Sequence, residues 1–315
     1  MKTSVFPVLR LALIVPLLYL TVLAPQRSRA DQLGETLAGS IPAGALAFFE
    51  TAGLAELIGQ VRGSEVFQSV LASEDFKQME SKPFFEEAAS SRKWVEFVLR
   101  MNIWDASEKL LGGRLALAAY PAGVGEDPHG LLLVRPAKPS DWLKRRVRFA
   151  PLVRVGLKRI GRDDFGDHVA AYQTRGSAPT FFALHDGWIV VSTDLQLLQQ
   201  AVAMQDPGGG VAFEKPGALR AEPAFRSMSE RMGENHLARA FVSMARLDEL
   251  TGDNLGLPRE IGDPVLAMFL GGVVEVADVS RFAGLTFNYD DKEVLLRASI
   301  DARVDELGEQ HRLFF

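Results

Sequence analysis

Cysteine is absent from all 315 residues. That removes disulfide redox chemistry, thiol nucleophiles and cysteine-ligated zinc together. It also excludes a lipid-modified cysteine after the apolar run near the start of the chain. A chain of this length buries a large core without disulfide staples. Histidine is scarce: His129, His168, His185, His236 and His311. No two of them stand at i+2, i+3 or i+4, so no local metal motif exists and no metal or other cofactor is expected. No serine sits in a Gly-x-Ser-x-Gly elbow. Acidic pairs such as Glu86-Glu87, Asp163-Asp164 and Asp290-Asp291 are neighbours in sequence, and neighbouring side chains on a helix or strand diverge. None is a catalytic pair by spacing. The apolar run over 11–24 is fourteen residues long and interrupted by Pro16, short of the ~20 that a membrane-spanning helix needs.

What is present begins with an address. Lys2 and Arg10 accompany that apolar run, and a small-x-small triplet follows at Ser28-Arg29-Ala30. A positive n-region, a short apolar h-region and an A-x-A-like site predict a secretory signal peptide over 1–30, cleaved after Ala30. The expected location is periplasmic or secreted, and a cysteine-free chain of this size points to bacteria. Lys2, Arg10, Arg27 and Arg29 leave with the leader and no acid does, so 31 basic residues face 40 acidic ones, a net charge of −9. A mildly acidic chain is a poor general nucleic-acid binder. Apolar residues at 47% and charged residues at 24% are ordinary globular values, and residues 31–315 make one large domain or two smaller ones.

Periodicity predicts an α+β fold, with antiparallel sheets covered by helices. Residues 41–52 read as a strand entered through a Pro-Gly turn, and 74–111 as mostly helical, with Trp94, Phe97, Val98 and Met101 recurring at i, i+3, i+4 and i+7. Gly112 and Gly113 close that region. Residues 114–120 and 130–134 read as an antiparallel pair. Ser140-Asp141 caps a helix to about Phe149. Strands follow at 169–174 and 180–185, the latter turning through Asp186-Gly187 into 188–192. Asp194 opens a helix over 195–204. An exposed turn histidine is expected at His185.

Asp206-Pro207-Gly208-Gly209-Gly210 is the predicted boundary, because three glycines after a proline weaken any helix or strand. A phosphate loop is disfavoured there, since no Gly-Lys-Ser/Thr follows. Beyond it the chain starts again. Ala47-Phe48 with Leu54, Glu56 and Leu57 is echoed at equal spacing by Ala240-Phe241 with Leu247, Glu249 and Leu250. Leu111-Gly112-Gly113 is echoed by Leu270-Gly271-Gly272. The expected organisation is a first α+β repeat over 31–206, enlarged by a helical insertion, and a shorter second repeat over 207–315, both built on a strand–helix–strand–strand unit. In the second, strands are expected over 282–289 and 293–300 and a helix over 301–312. The apolar end Leu313-Phe314-Phe315 points to a shortened gene product or an end tucked into the core.

Ile41-Pro42-Ala43-Gly44-Ala45-Leu46-Ala47-Phe48 just after the leader, the Leu-Gly-Gly strand starts, and Asp186 to Thr193 leading into a helix together give a pattern over about 41–300. It resembles a secreted bacterial family catalogued as domain of unknown function 3352. That resemblance implies the architecture alone: the family carries no established activity, and no functional residue transfers.

The most distinctive charge feature is basic. Lys144, Arg145, Arg146, Arg148, Arg154, Lys158, Arg159 and Arg162 follow one another with no acid between Asp141 and Asp163. Trp142, Leu143 and Val147 suit the buried side of a helix here, leaving Lys144, Arg145 and Arg148 toward water. This segment, with Lys144, Arg145, Arg148, Lys158 and Arg159 as its contacts, is the predicted binding patch. Its partner would be an anionic envelope component, a lipid headgroup or glycan, or an acidic protein; a solvated face neutralised by the chain's own acids is the plainer alternative. Nucleic acid is excluded by compartment and by the lack of interleaved aromatics. The function expected is a non-enzymatic binding or envelope-associated role. Two alternatives stand beside it. A hydrolase would assemble its site only in the fold, with His168 and Asp163 or Asp164 the first place to look. A carrier of an apolar ligand would need a dry cavity between sheet and helices.

Overall fold

The structure is a computed structural model. It describes residues 36–52, 68–69, 72–73, 96, 102, 105, 113–123, 126–136, 157–160, 165, 169–174, 179–206, 213, 215–233, 236–251, 280–290 and 293–302. The predicted leader, the helical region over 74–111 and the helix over 140–149 lie outside them or almost wholly so, as do the glycine run after Pro207 and Leu270-Gly271-Gly272.

Ten strands are β1 (Ala47–Ala52), β2 (Arg114–Tyr120), β3 (His129–Arg135), β4 (Leu157–Arg159), β5 (Ala170–Thr174), β6 (Phe181–His185), β7 (Trp188–Ser192), β8 (Ala238–Ser243), β9 (Ser280–Asp290) and β10 (Glu293–Ala302). Their order is β10-β9-β8-β1-β2-β3-β7-β6-β5-β4 in one antiparallel sheet. Three helices are described along their length: α1 (Leu195–Gln205), α2 (Pro223–Met232) and α3 (Met244–Thr251). The fold is α+β. Two compact units divide the chain, one holding 51–115 and 132–214, the other 28–50, 116–131 and 215–315.

The first unit follows local rules. β6 and β7 pair from Phe181↔Ser192 to His185↔Trp188. Asp186 (φ 42) and Gly187 (φ 82) both take the left-handed conformation that a two-residue hairpin of this twist requires. Asp194 caps α1, its carboxylate accepting the Leu197 N–H at 2.7 Å, a contact worth about 1 kcal/mol. Leu198, Ala201 and Val202 recur at i, i+3 and i+4 and are fully buried where α1 packs on β6 and β7. His185 is buried rather than exposed, at 5%. It is the last strand residue before the turn, so its side chain belongs to the pleated face, not to the loop.

The second unit is organised by aromatics. Phe225 on α2 meets Phe48 on β1 edge to face at 5.5 Å and Phe241 on β8 at 5.3 Å. Phe282 on β9 continues the row at 6.3 Å. Phe48 is 2% exposed, and Phe225, Phe241 and Phe282 are 0%. Gly284 on β9 lets α2 approach: a Cβ there would stand 2.5 Å from the Met228 sulfur and 3.1 Å from that of Met232.

Two expected boundaries move. The strand predicted over 41–52 starts only at Ala47. Pro42 and Gly44 (φ 98) break the ladder, and residues 41–46 spend their backbone groups elsewhere. The helix predicted from Asp301 is corrected at its start, because Asp301 and Ala302 are the last residues of β10.

Candidate functional site

The predicted binding patch is described only in part. Lys158 and Arg159 lie on β4, a three-residue strand that pairs with β5 at the end of the sheet, and both are exposed. Lys144, Arg145 and Arg148 fall outside the described residues, as do His168, Asp163 and Asp164. Within the first unit, the Arg135 guanidinium lies over the Trp188 ring at 5.3 Å.

The second unit holds the connected polar chemistry. Residues 41–46 form a loop, buried except at Ala43 and Gly44, with backbone groups satisfied from distant parts of the chain. The Ala43 N–H donates to the Gly217 carbonyl at 2.8 Å, the Leu219 N–H to the Ile41 carbonyl at 2.9 Å, and the Ser243 N–H to the Leu46 carbonyl at 2.8 Å. The Tyr120 hydroxyl donates to the Pro42 carbonyl at 2.7 Å. Burial, helped by the Glu222 charge and opposed by that of Arg246, raises this phenol well above its ordinary pKa.

Two charge clusters stand in this unit, and the second bonds directly to that loop. In the first, Glu50 accepts from the Thr36 hydroxyl and the Leu37 N–H, each at 2.7 Å. His236 Nε2 and Arg239 Nε stand 3.7 Å from the same carboxylate. Arg239 also donates to Ser229 Oγ and to the Gly233 carbonyl at the C-terminus of α2, each at 3.0 Å, and faces His236 Nδ1 at 3.3 Å. Arginine only donates, so Nδ1 is the acceptor and the imidazole proton sits on Nε2, toward Glu50. Burial would raise the Glu50 pKa. The His236 ring, the Thr36 hydroxyl, the Arg239 charge and the Leu37 N–H outweigh it and hold the carboxyl below its ordinary value. Glu50, His236 and Arg239 are 5%, 6% and 1% exposed. An imidazole beside a carboxylate is the usual constellation of a general base, but this one is closed to substrate, and its hydrogen bonds go to backbone and helix end. It builds the fold.

In the second cluster, Arg246 on α3 grips Glu222, just ahead of α2, through two bonds of 2.7 and 3.0 Å and donates to the Ala45 carbonyl at 3.0 Å. Glu222 also accepts the Gly44 N–H. This pair forms part of the wall of an open cleft of about 780 Å³ within the second unit. Arg231, Glu249, Arg281 and Asp301 complete its charged lining, with Phe282 behind them. Arg231 and Arg281 converge on one carboxylate: Arg231 Nη2 lies 2.7 Å from Asp301 Oδ1, and Arg281 Nε 3.0 Å from Asp301 Oδ2. The two guanidinium side chains are 48% and 68% exposed, the Asp301 side chain 14%. Arg231 also lies over the Phe282 ring at 5.7 Å. Each guanidinium carries five N–H donors, so most of their capacity faces the cleft and solvent.

Sequence reasoning did not find this cleft. Arg231, Arg281 and Asp301 come from α2, β9 and β10, and α2 itself was not foreseen. Its signals were available: Pro223 at the first helical position, Gly233 (φ 80) closing the end, and Phe225, Met228 and Met232 at i, i+3 and i+7. Among the described residues no three histidine, aspartate or glutamate side chains gather as a metal site. No helix among them is long and apolar enough to cross a membrane.

No family model matches the chain, and no curated protein does. Solved structures titled as crystal forms of TP0453 are similar over most of their length. Form I aligns with a TM-score of 0.41 at 10% identity, covering 89% of this chain and 84% of that one. Form III gives 0.40 at 10%, covering 89% and 85%, and form IV 0.38 at 12%, covering 87% and 83%. Likeness of this size bears on neither the fold nor the function.

Proposed function

We propose that this chain is an exported, non-enzymatic binding protein of the cell envelope, and that its cleft takes an anionic group. The observation that carries the reading is the sharing of Asp301 by two exposed arginines. The carboxylate orders both guanidinium groups and leaves a fan of their donors at the cleft; Glu222, Glu249 and Asp301 balance Arg231, Arg246 and Arg281 in the lining, so the recognition rests on directed donors and not on net charge. Planar forks of this kind suit carboxylate and phosphate oxygens. The three described histidines lie elsewhere: His185 and His236 are buried and His129 is on β3. No described imidazole meets the cleft, which weighs against a hydrolase there. Six charged side chains in the lining also weigh against the dry cavity of an apolar-ligand carrier. The signal-peptide pattern read in residues 1–30 supports export. The strand order supports the duplication: outward from the β8–β1 pair, β1, β2, β3 run one way and β8, β9, β10 the other.

The test is sedimentation of the purified chain with vesicles of phosphatidylglycerol and phosphatidylcholine against phosphatidylcholine alone, with an immobilised anionic glycan as a second arm. Retention by the charged vesicles identifies a headgroup, and retention by the glycan a polysaccharide. Arg231→Gln with Arg281→Gln is expected to lower either retention at least tenfold. The basic segment offers the same chemistry at a second place, favoured by the exposure of Lys158 and Arg159 on β4. Arg145→Glu with Arg148→Glu and Arg159→Glu reads that segment. Loss there with retention intact in the arginine-pair variant would move the site out of the cleft, and retention on neither material would overturn the proposal.

A further inference from the structure

The cleft draws its charged lining from different elements. α2 contributes Ala224, Ser227 and Arg231 at i, i+3 and i+7, one face of that helix. α3 contributes Ala245 and Glu249 at i and i+4, a face on which such Cβ atoms lie roughly 6 Å apart. Both helices pack on β9. The Ser243↔Phe282 pairing of β8 with β9 sets the start of α3, at Met244, close to Arg281.

The ion pairs leave this lining unevenly matched. Arg231 and Arg281 have one carboxylate between them, that of Asp301. Arg246 is held by Glu222. Glu249 is exposed, and its carboxylate enters no ion pair with a described residue. Spare guanidinium donors thus stand on the α2 and β9 side, and a spare carboxylate on α3. A bare anion answers the first and is repelled by the second.

Resting on the anion reading of this cleft, we infer that its occupant is a phosphate ester bearing a primary ammonium, a group of the aminoethyl phosphate kind. The phosphate oxygens, more numerous than a carboxylate's, take the two guanidinium forks. The ammonium, with three N–H donors, takes Glu249. Charges of opposite sign on different elements select by the penalty against the wrong ligand as well as by attraction to the right one. A quaternary ammonium keeps the charge but has no N–H to donate, so choline phosphate binds more weakly than aminoethyl phosphate.

Isothermal titration calorimetry of the purified chain with 2-aminoethyl phosphate and with ethyl phosphate, which differ by the ammonium alone, tests this. The amino compound should bind about tenfold tighter. Glu249→Gln should weaken the amino compound to the level of ethyl phosphate and tighten ethyl phosphate slightly, opposite signs that a loss of folded protein does not give. Sedimentation with vesicles of phosphatidylethanolamine in phosphatidylcholine names the source. Retention above that on phosphatidylcholine alone identifies a lipid headgroup, and titration without such retention identifies a soluble or glycan-borne group; either supports the inference. Equal affinity for the two phosphates in the parent overturns it and leaves the anion reading intact, as does a Glu249→Gln variant that weakens both alike. Binding of neither phosphate also overturns it, and where charged vesicles and glycan fail as well, the anion reading falls with it.

Discussion

Among the described residues the buried carboxylate and guanidinium of Glu50 and Arg239 belong to the second unit, whereas the first buries His185, Ser192 and Gln205 and is shaped by local turns. In the first, the hairpin at Asp186-Gly187 and the Asp194 cap act within a few residues of themselves, and α1 rests on β6 and β7 through apolar contact. In the second, Glu50, His236 and Arg239 are withdrawn from water. Glu222 reaches 178 residues back to Gly44, and Arg246 201 residues back to Ala45. Buried charge of this kind is weak evidence for stability, because desolvation offsets most of the attraction. What it supplies is a requirement: a loop whose backbone groups are met by Gly217, Leu219, Glu222, Ser243 and Arg246 is satisfied only when the segment leading into α2, β8 and α3 are all in place. The second unit is thus specified by long-range agreement and the first by local rules.

That contrast predicts where damage is largest. Glu50→Ala strands Arg239 and the Leu37 N–H in the interior and should cost about 3–5 kcal/mol, read as a fall in the denaturant midpoint. Glu50→Leu with Arg239→Met removes both charges and should cost much less than Glu50→Ala alone. The same carboxyl sets an acid limit. Its pKa is held below the ordinary 4.5, so its contribution is complete above that pH and is lost as pH falls through the folded-state value. Glu50→Gln should flatten this part of the stability–pH curve while lowering it at neutrality. An unchanged acid limb in Glu50→Gln would mean that another group sets it.

Gly284→Val should come next. It drives a branched side chain into Met228, and overpacking of this kind costs about 1–3 kcal/mol, with Gly284→Ala at the lower end. A neutral Gly284→Val would mean that α2 does not lie as close to β9 as the 2.5 Å approach requires. The smallest effect belongs to the first unit. Asp194→Ala removes one cap and should cost about 1 kcal/mol, with Asp194→Asn close to neutral. If the cap proved as costly as Glu50→Ala, the division between local and long-range specification would fail.

The same division explains what the sequence made legible. Asp186-Gly187, Asp194 and the strand start after Gly113 were readable because each carries its reason within four residues. β9 and β10 were readable as strands over 282–289 and 293–300, within two residues of their observed bounds. Residues 41–46 were misread as strand because the pattern is apolar throughout, and only the distant partners, Gly217, Tyr120 and Glu222, make them a loop. His185 was misplaced because proximity to a turn was weighed above the pleat that carries its side chain inward. The cleft was invisible for the same reason as the Glu50 cluster. Arg231, Arg281 and Asp301 are ordinary surface charges in sequence, and only the packing of α2 on β9 and β10 brings them together.

The most direct test measures stability and anion retention in parallel on two variants. If the buried cluster builds and the cleft binds, Arg231→Gln with Arg281→Gln loses retention on charged vesicles or glycan with its melt within about 0.5 kcal/mol of the parent. Glu50→Gln would lose stability and keep retention in whatever stays folded. The reverse pattern, with retention lost in folded Glu50→Gln and kept in the arginine-pair variant, would contradict the account.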